Sequence, residues 1–437
     1  MSKYSLPTEL PRERALLVGV AFIQSPGFLT LDDSLSELGL LAKTAGLDVV
    51  GDIRQKRNSP HSKTYLGSGK VEEVRQLAGE LVADVILFDD ELNPRHQREL
   101  ERIFGESIRV VDRTALILDI FAQHAATREG ALQVELAQYE YRLPRLTRAW
   151  THLARQAGGG GGRAGSVGGV GLRGPGETQL EVDRRDIRRR IAHLQDELEK
   201  VREHRGRYRA RRKEAAIPTV ALVGYTNAGK STLLNELSKA DVYVADELFA
   251  TLDPTTRRVD LPDGRNILMT DTVGFIQKLP TSLVAAFRAT LEEIVDADLL
   301  LHVVDITHTN ARLQAEAVRQ TLEEIKADHI PMVTALNKID RLSDENEVQD
   351  AVDLYEKAVP ISAKKGTGVN ILLTVMSNEL YSELESLTVS LPYKLGRLIS
   401  IFHDQGQIEH TTYEDTRVIL SGQLPKHLIH EFEPYRS

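Results

Sequence analysis

Cysteine is absent from the 437 residues, which excludes disulfides and thiolate metal sites. Long apolar runs are absent too. No stretch approaches the roughly 18 residues needed to span a bilayer, and the segment from Met1 to Glu9 has no apolar core of the kind a signal peptide carries. A cytoplasmic protein without stable membrane anchoring is expected. The histidines show no metal-ligand spacing. An overall excess of positive charge is also missing: 55 Lys and Arg stand against 64 Asp and Glu, for a net charge of −9. That balance argues against a general nucleic-acid binder.

What is present is unevenly distributed. Between Glu181 and Lys213 there are thirteen Lys or Arg and seven Asp or Glu, a local balance of +6. A phosphate-bearing partner can therefore meet one part of the chain and not the whole. Length allows two to four domains. Residues 1 to about 150 alternate strand-like and helical segments, which predicts an α/β unit on a parallel sheet. Ala15–Phe22, Val49-Val50, Asp84–Phe88 and Ile108–Val111 read as strands, and Leu31 to Ala45 as a helix. From Thr114 to about Gln156 the pattern turns helical and long. Residues 151–216 combine a glycine-rich stretch, Gly158 to Gly176, with a charged helix from Glu177 to about Lys213. Its apolar stripe, Leu180, Ile187, Ile191, Leu194, Leu198 and Val201, suits antiparallel pairing with the preceding helix in a hairpin. Residues 217–384 read as a phosphate-loop nucleotide domain, and 385–437 as a small α+β domain.

Gly224-Tyr225-Thr226-Asn227-Ala228-Gly229-Lys230-Ser231 fits the phosphate-loop pattern G-x-x-x-x-G-K-[ST]. In such a loop backbone N–H groups cradle phosphates, the lysine reaches the β/γ oxygens and the serine ligates Mg²⁺. About a hundred residues later stands Asn337-Lys338-Ile339-Asp340. A carboxylate at Asp340 can accept from the N1–H and exocyclic amine of guanine, whereas adenine offers no such donor pair. GTP is therefore the expected nucleotide. Asp271-Thr272-Val273-Gly274 follows an apolar strand and has the place of a Walker-B aspartate and γ-phosphate sensor. Asp271 would hold Mg²⁺ through water, and the Gly274 N–H would reach the γ-phosphate. Ser362-Ala363-Lys364 would close over the base. A threonine completing the Mg²⁺ shell is expected among Thr251, Thr255 and Thr256. Phe275 stands where Ras-like enzymes carry the glutamine that orients the attacking water, so a slow intrinsic rate is expected. Asn227 occupies a position at which some GTPases hold K⁺ near the phosphates.

The glycine stretch lacks Gly-Lys-Ser/Thr and so is not a second phosphate loop. With Arg155, Arg163 and Arg173 it suits a loop probing an RNA cavity, a solvated linker being the plain alternative. Arg184, Arg185, Arg188, Arg189, Arg190 and the basic residues from Arg205 to Lys213 either meet phosphates or form a charged helix face.

The nucleotide motifs resemble those of the Era/Obg-type branch of the translation-factor-related GTPases. Over nearly its full length the chain is similar to the HflX family of ribosome-associated GTPases. The resemblance is carried by Gly171–Glu181, Gly224–Thr232, Leu248–Thr255, Asp271–Phe275 and, upstream, Asp112–Ala122. It implies an α/β multidomain protein: an N-terminal α/β domain, a helical hairpin whose tip loop enters the large ribosomal subunit, and a GTPase domain. It further implies binding to 50S subunits and 70S ribosomes through 23S rRNA, GTP hydrolysis stimulated there, and splitting of stalled ribosomes. The family's switch threonine falls on Thr251. Its metal ligands fall on Ser231 and Thr251, beside Asp271, and its nucleotide contacts on the phosphate loop, Phe249-Ala250-Thr251-Leu252-Asp253, Asp271–Gly274, Asn337–Asp340 and Ser362–Lys364. Lys230, Thr251 and Gly274 would carry catalysis. Mg²⁺ is the expected cofactor, K⁺ a further candidate, and a monomer the expected state. A role in ribosome assembly, or a switch acting on a protein or membrane partner, are the alternatives.

Overall fold

The computed structural model describes residues 12–23, 29–146, 179–214, 217–239, 248–249, 252–278, 288–342, 345–381 and 384–436. They fall into two compact units divided between Val201 and Arg202.

The first unit is built on a parallel sheet of β1 (Arg14–Phe22), β2 (Asp48–Arg57), β3 (Val85–Phe88) and β4 (Arg109–Asp112), in the order β2-β1-β3-β4. β3 is buried along its whole length, as a strand covered on both faces must be. Helix α1 (Leu31–Thr44) starts at Thr30, whose hydroxyl accepts the Asp33 N–H. It packs closely on β1, because a Cβ at Gly19 would lie 2.8 Å from Leu31 Cδ1. Helices α2 (Ser68–Glu80) and α3 (Pro94–Phe104) complete the α/β alternation.

The helical run expected from Thr114 is two helices, α4 (Arg113–His124) and α5 (Arg128–Arg142). The break is a helix cap: Thr127 is extended and its hydroxyl accepts the Gly130 N–H at 3.0 Å. Asp112 and Arg113, part of the segment that carried the family resemblance, close the carboxyl edge of the sheet. Arg113 is buried and bonds Asp89 Oδ1 at 2.7 Å and Glu37 Oε1 at 2.8 Å. Asp112 accepts the N–H groups of Leu92 and Ala115 and the Tyr141 hydroxyl, each at 2.9 Å. Helix α6 (Gln179–Glu214) runs antiparallel to α5: Arg190 pairs with Glu135 and Arg128 with Glu197, so numbers rise on one helix as they fall on the other. Such exposed pairs add little stability. Leu194, fully buried, marks the apolar seam.

In the second unit a six-stranded sheet has the order β10-β9-β8-β5-β7-β6. Its strands are β5 (Thr219–Gly224), β6 (Thr255–Asp260), β7 (Asn266–Asp271), β8 (Leu299–Asp305), β9 (Met332–Asn337) and β10 (Ala358–Pro360). Only β6 pairs antiparallel. Helices α7 (Lys230–Ser238), α8 (Arg288–Val295), α9 (Ala311–Glu324), α10 (Glu345–Asp353) and α11 (Val369–Tyr381) alternate with these strands. The core joins Leu222, Leu301 and Val333 of the sheet to Leu233, Leu372 and Met376 of the helices. The C-terminal residues form an antiparallel sheet, β11 (Leu384–Pro392), β13 (Arg417–Pro425) and β12 (Gln407–Tyr413) in that order, with helices α12 (Gly396–Gln405) and α13 (Lys426–Phe432). Ile399–Phe402 lies in α12, where Phe402 meets Phe432 edge-on at 5.6 Å.

Candidate nucleotide site

A parallel sheet gathers its ligands at the carboxyl ends of its strands, and here the motifs meet at the ends of β5, β7, β8 and β9. The loop from Gly224 to Gly229 joins β5 to α7. Gly229 has φ 101°, in the left-handed region, and a Cβ there would lie 2.3 Å from Asn337 Nδ2. No other residue fits. The N-terminus of α7 presents unpaired N–H groups at this loop, an anion site by construction.

Lys230 opens α7, is buried, and folds its ammonium back over the loop, donating to Gly224 O at 3.1 Å and Tyr225 O at 2.9 Å. Burial lowers its pKa to about 8, against the opposing pull of Asp271. Ser231 Oγ donates to Asp271 Oδ2 at 2.6 Å. These adjacent hard oxygens fit Mg²⁺, which characteristically takes one or two carboxylates and completes its shell with water and substrate phosphates. Among the described residues no group of three or more His, Asp or Glu could hold a metal by itself. Thr251 and Ala250 lie outside the described residues. The competing threonines belong to β6: Thr256 Oγ1 lies 2.9 Å from Thr270 Oγ1, and Thr255 is paired in register with Asp271.

The segment after β7 is docked on the phosphate loop. Thr272 Oγ1 donates to Leu222 O at 2.5 Å. The Phe275 N–H donates to Gly224 O at 3.0 Å, and the Thr226 N–H to Phe275 O at 2.8 Å. A Cβ at Gly274 would meet Thr226 Cα at 2.9 Å and Lys230 Nζ at 3.0 Å, so only glycine brings this backbone so close to the ammonium. Val273 is half-buried. Phe249, in a left-handed conformation, and Leu252 are buried, while Asp253 is half-buried. Asn227, also left-handed, is exposed at the loop's tip.

Asn337 ties two halves of the site together. Its Nδ2 donates to Ala228 O and its Oδ1 accepts the Ala363 N–H, both at 2.9 Å and buried. Lys338 donates to Asn227 O at 2.8 Å. Asp340, in the short 3₁₀ turn Ile339–Arg341, accepts the Ser362 hydroxyl at 2.6 Å. That bond is the main reason its carboxyl lies below the usual range, and it keeps the group anionic, as an acceptor for two N–H donors. Lys364 is exposed.

One residue, Asp305, and one contact, made by the Tyr225 hydroxyl, lie outside the sequence expectations. Asp305 Oδ2 pairs with Lys338 Nζ at 2.6 Å, while Oδ1 accepts the Thr307 N–H and hydroxyl at 3.1 and 2.6 Å. The sequence shows an apolar strand ending in aspartate, but the place of that aspartate beside Asn337 follows from strand order, which no residue pattern encodes. The Tyr225 hydroxyl accepts the Gln277 N–H at 2.9 Å, for which no sequence signal exists. The glycine stretch with Arg155, Arg163 and Arg173 lies outside the described residues, as do the side chains from Arg205 to Lys213. Arg185, Arg188, Arg189 and Arg190 are exposed; Arg190 spans to Glu135 and Arg189 to Asp186, which offsets part of their charge.

Comparison with known proteins gives three consecutive family matches: "GTP-binding GTPase N-terminal" over 32–122, "GTP-binding GTPase Middle Region" over 124–212 and "50S ribosome-binding GTPase" over 219–338. The chain is 45% identical over 418 residues to the GTPase HflX of Escherichia coli K12, covering 94% of each protein. With GTPase HflX of Caldanaerobacter subterraneus subsp. tengcongensis it shares 43% identity over 416 residues, 95% of this chain and 92% of that one. Among solved structures it is similar to a GTP-binding protein from Sulfolobus solfataricus in complex with GDP, at 25% identity and TM-score 0.42, over 84% of this chain and 98% of that one.

Proposed function

The chain belongs to the HflX family of GTPases, enzymes that hydrolyse GTP to GDP and phosphate, and on that premise we propose that its GTP form binds the 50S subunit and the 70S ribosome, splits stalled ribosomes, and leaves on hydrolysis. The observation that carries the ribosomal reading is the match of 219–338, the segment holding the phosphate loop, Asp271–Gly274 and Asn337-Lys338 of the site, to a 50S ribosome-binding GTPase family. The exposed arginines of α6 supply charge of the right sign for rRNA phosphates.

In this reading the loop N–H groups and Lys230 hold the α, β and γ phosphates. Asp340 reads the guanine edge, and Asn337 holds base loop and phosphate loop in one register. Ser231, Asp271 and Thr251 would hold Mg²⁺, which when bound neutralises charge on the β and γ oxygens. The Gly274 N–H reports the γ-phosphate. Phe275 offers no hydrogen bond to a water, so turnover waits for the ribosome to order the site. Asn227 is the residue through which K⁺ would act; equal GTPase rates in K⁺ and Na⁺ buffers would dismiss it. The protein works as a monomer in the cytoplasm, where its ribosomal partner resides.

Co-sedimentation with purified 50S subunits tests the binding step. Retention should be strong with a non-hydrolysable GTP analogue, weak with GDP, and steeply salt-dependent, each neutralised phosphate contributing roughly −0.7 to −0.9 to the log–log slope. Equal retention with both nucleotides would refute the reading.

A further inference from the structure

The phosphate-loop tyrosine has a second task. Tyr225 is 5% exposed, and its hydroxyl accepts the backbone N–H of Gln277 at 2.9 Å. On the other side of the same residue the backbone of Phe275 is bonded to Gly224 and Thr226, and Tyr225 and Phe275 form a parallel bridge. The four residues Gly274 to Gln277 are therefore fixed at two points. At their start, Gly274 lies against Thr226 and the Lys230 ammonium. A segment that ends in backbone N–H groups beside a phosphate site binds an anion well only when those groups are already in place.

We propose that Tyr225 is a positioning residue: its hydroxyl holds Gln277, and through it the strip from Gly274, so that the Gly274 N–H is preset for a γ-phosphate. It rests on the assignment of Gly274 as the γ-phosphate sensor. The consequence is selective. GDP carries no γ-phosphate, so losing the latch weakens GTP more than GDP. Loss of a residue that merely packs the loop would weaken both alike.

Tyr225→Phe removes the oxygen and nothing else. Measured by fluorescent-nucleotide titration, the GTP-to-GDP affinity ratio should fall about five-fold, the worth of one lost neutral hydrogen bond. A ratio equal to that of the unsubstituted protein overturns the latch. Hydrogen exchange on the unsubstituted protein is independent of how the variant folds: the Gln277 amide should exchange slowly, and exchange at the rate of an open loop overturns the proposal. Gly274→Ala separates the two levels. If it leaves the ratio unchanged, the sensor assignment fails and the latch with it; if it collapses the ratio while Tyr225→Phe does not, only the latch fails.

Discussion

Replacing Asn337 with alanine probes the joint on which the whole site depends. Its amide makes two buried hydrogen bonds to backbone atoms, Ala228 O in the phosphate loop and Ala363 N–H in the base-recognition loop. Both alanines are 2% exposed, so water does not readily replace the lost partner. An unsatisfied buried group costs about 1–3 kcal/mol, giving about 2–6 kcal/mol for the pair. Part of this appears as lost stability of the nucleotide-free domain, part as lost affinity, since nucleotide must then hold two uncoupled loops. If about 2 kcal/mol falls on binding, GDP affinity drops about thirty-fold. Isothermal titration with GDP, beside thermal unfolding of the empty protein, measures the two shares. A folded variant that binds GDP within two-fold of the parent would refute the idea that this residue couples the half-sites.

Other substitutions and conditions read separate parts of the site. Asp340→Asn should shift preference from GTP toward XTP, because xanthine has a carbonyl where guanine has its amine; unchanged preference in competition binding would remove the base-recognition argument. Asp305→Ala frees the Lys338 ammonium from its carboxylate and should speed GDP release by about five- to thirty-fold, corresponding to about 1–2 kcal/mol for a partly buried charged bond, as followed by fluorescent GDP chase. Nucleotide affinity should fall with rising pH. Burial lowers the Lys230 pKa to about 8, and bound phosphate favours its charged form. Affinity is therefore full below that pH and is lost above it, by up to about ten-fold per pH unit until the bound-state pKa is reached. Lys230→Arg, which does not titrate in this range, controls for loss of the guanine N1 proton, and an identical pH profile in the two proteins would sink the assignment.

Much of the nucleotide site was legible because its chemistry is local. The glycines at 224 and 229 and the lysine between loop and helix obey constraints set within eight residues, and the strand before and helix after them follow from apolar spacing. The α/β alternation of the first unit was readable for the same reason. Capping was missed at Thr127, since Ala125 and Ala126 are good helix formers and a single hydroxyl decides the break. Strand order was not legible, and with it went Asp305. Its pairing with Lys338 exists only because β8 and β9 end side by side. The Tyr225 bond to Gln277 spans fifty-two positions and engages a backbone N–H, which leaves no mark in residue type. The assignment of Thr251 rests on resemblance alone; Thr256 of β6 meets Thr270 of the neighbouring β7.

On the proposed function, GTP bound at this site drives the protein to separate ribosomal subunits. Density-gradient profiles of 70S ribosomes incubated with the protein and GTP, a non-hydrolysable analogue, or GDP test it most directly. The 70S peak should give way to 50S and 30S with GTP and the analogue, and persist with GDP. A 70S peak that stays intact under every nucleotide would contradict the proposed function.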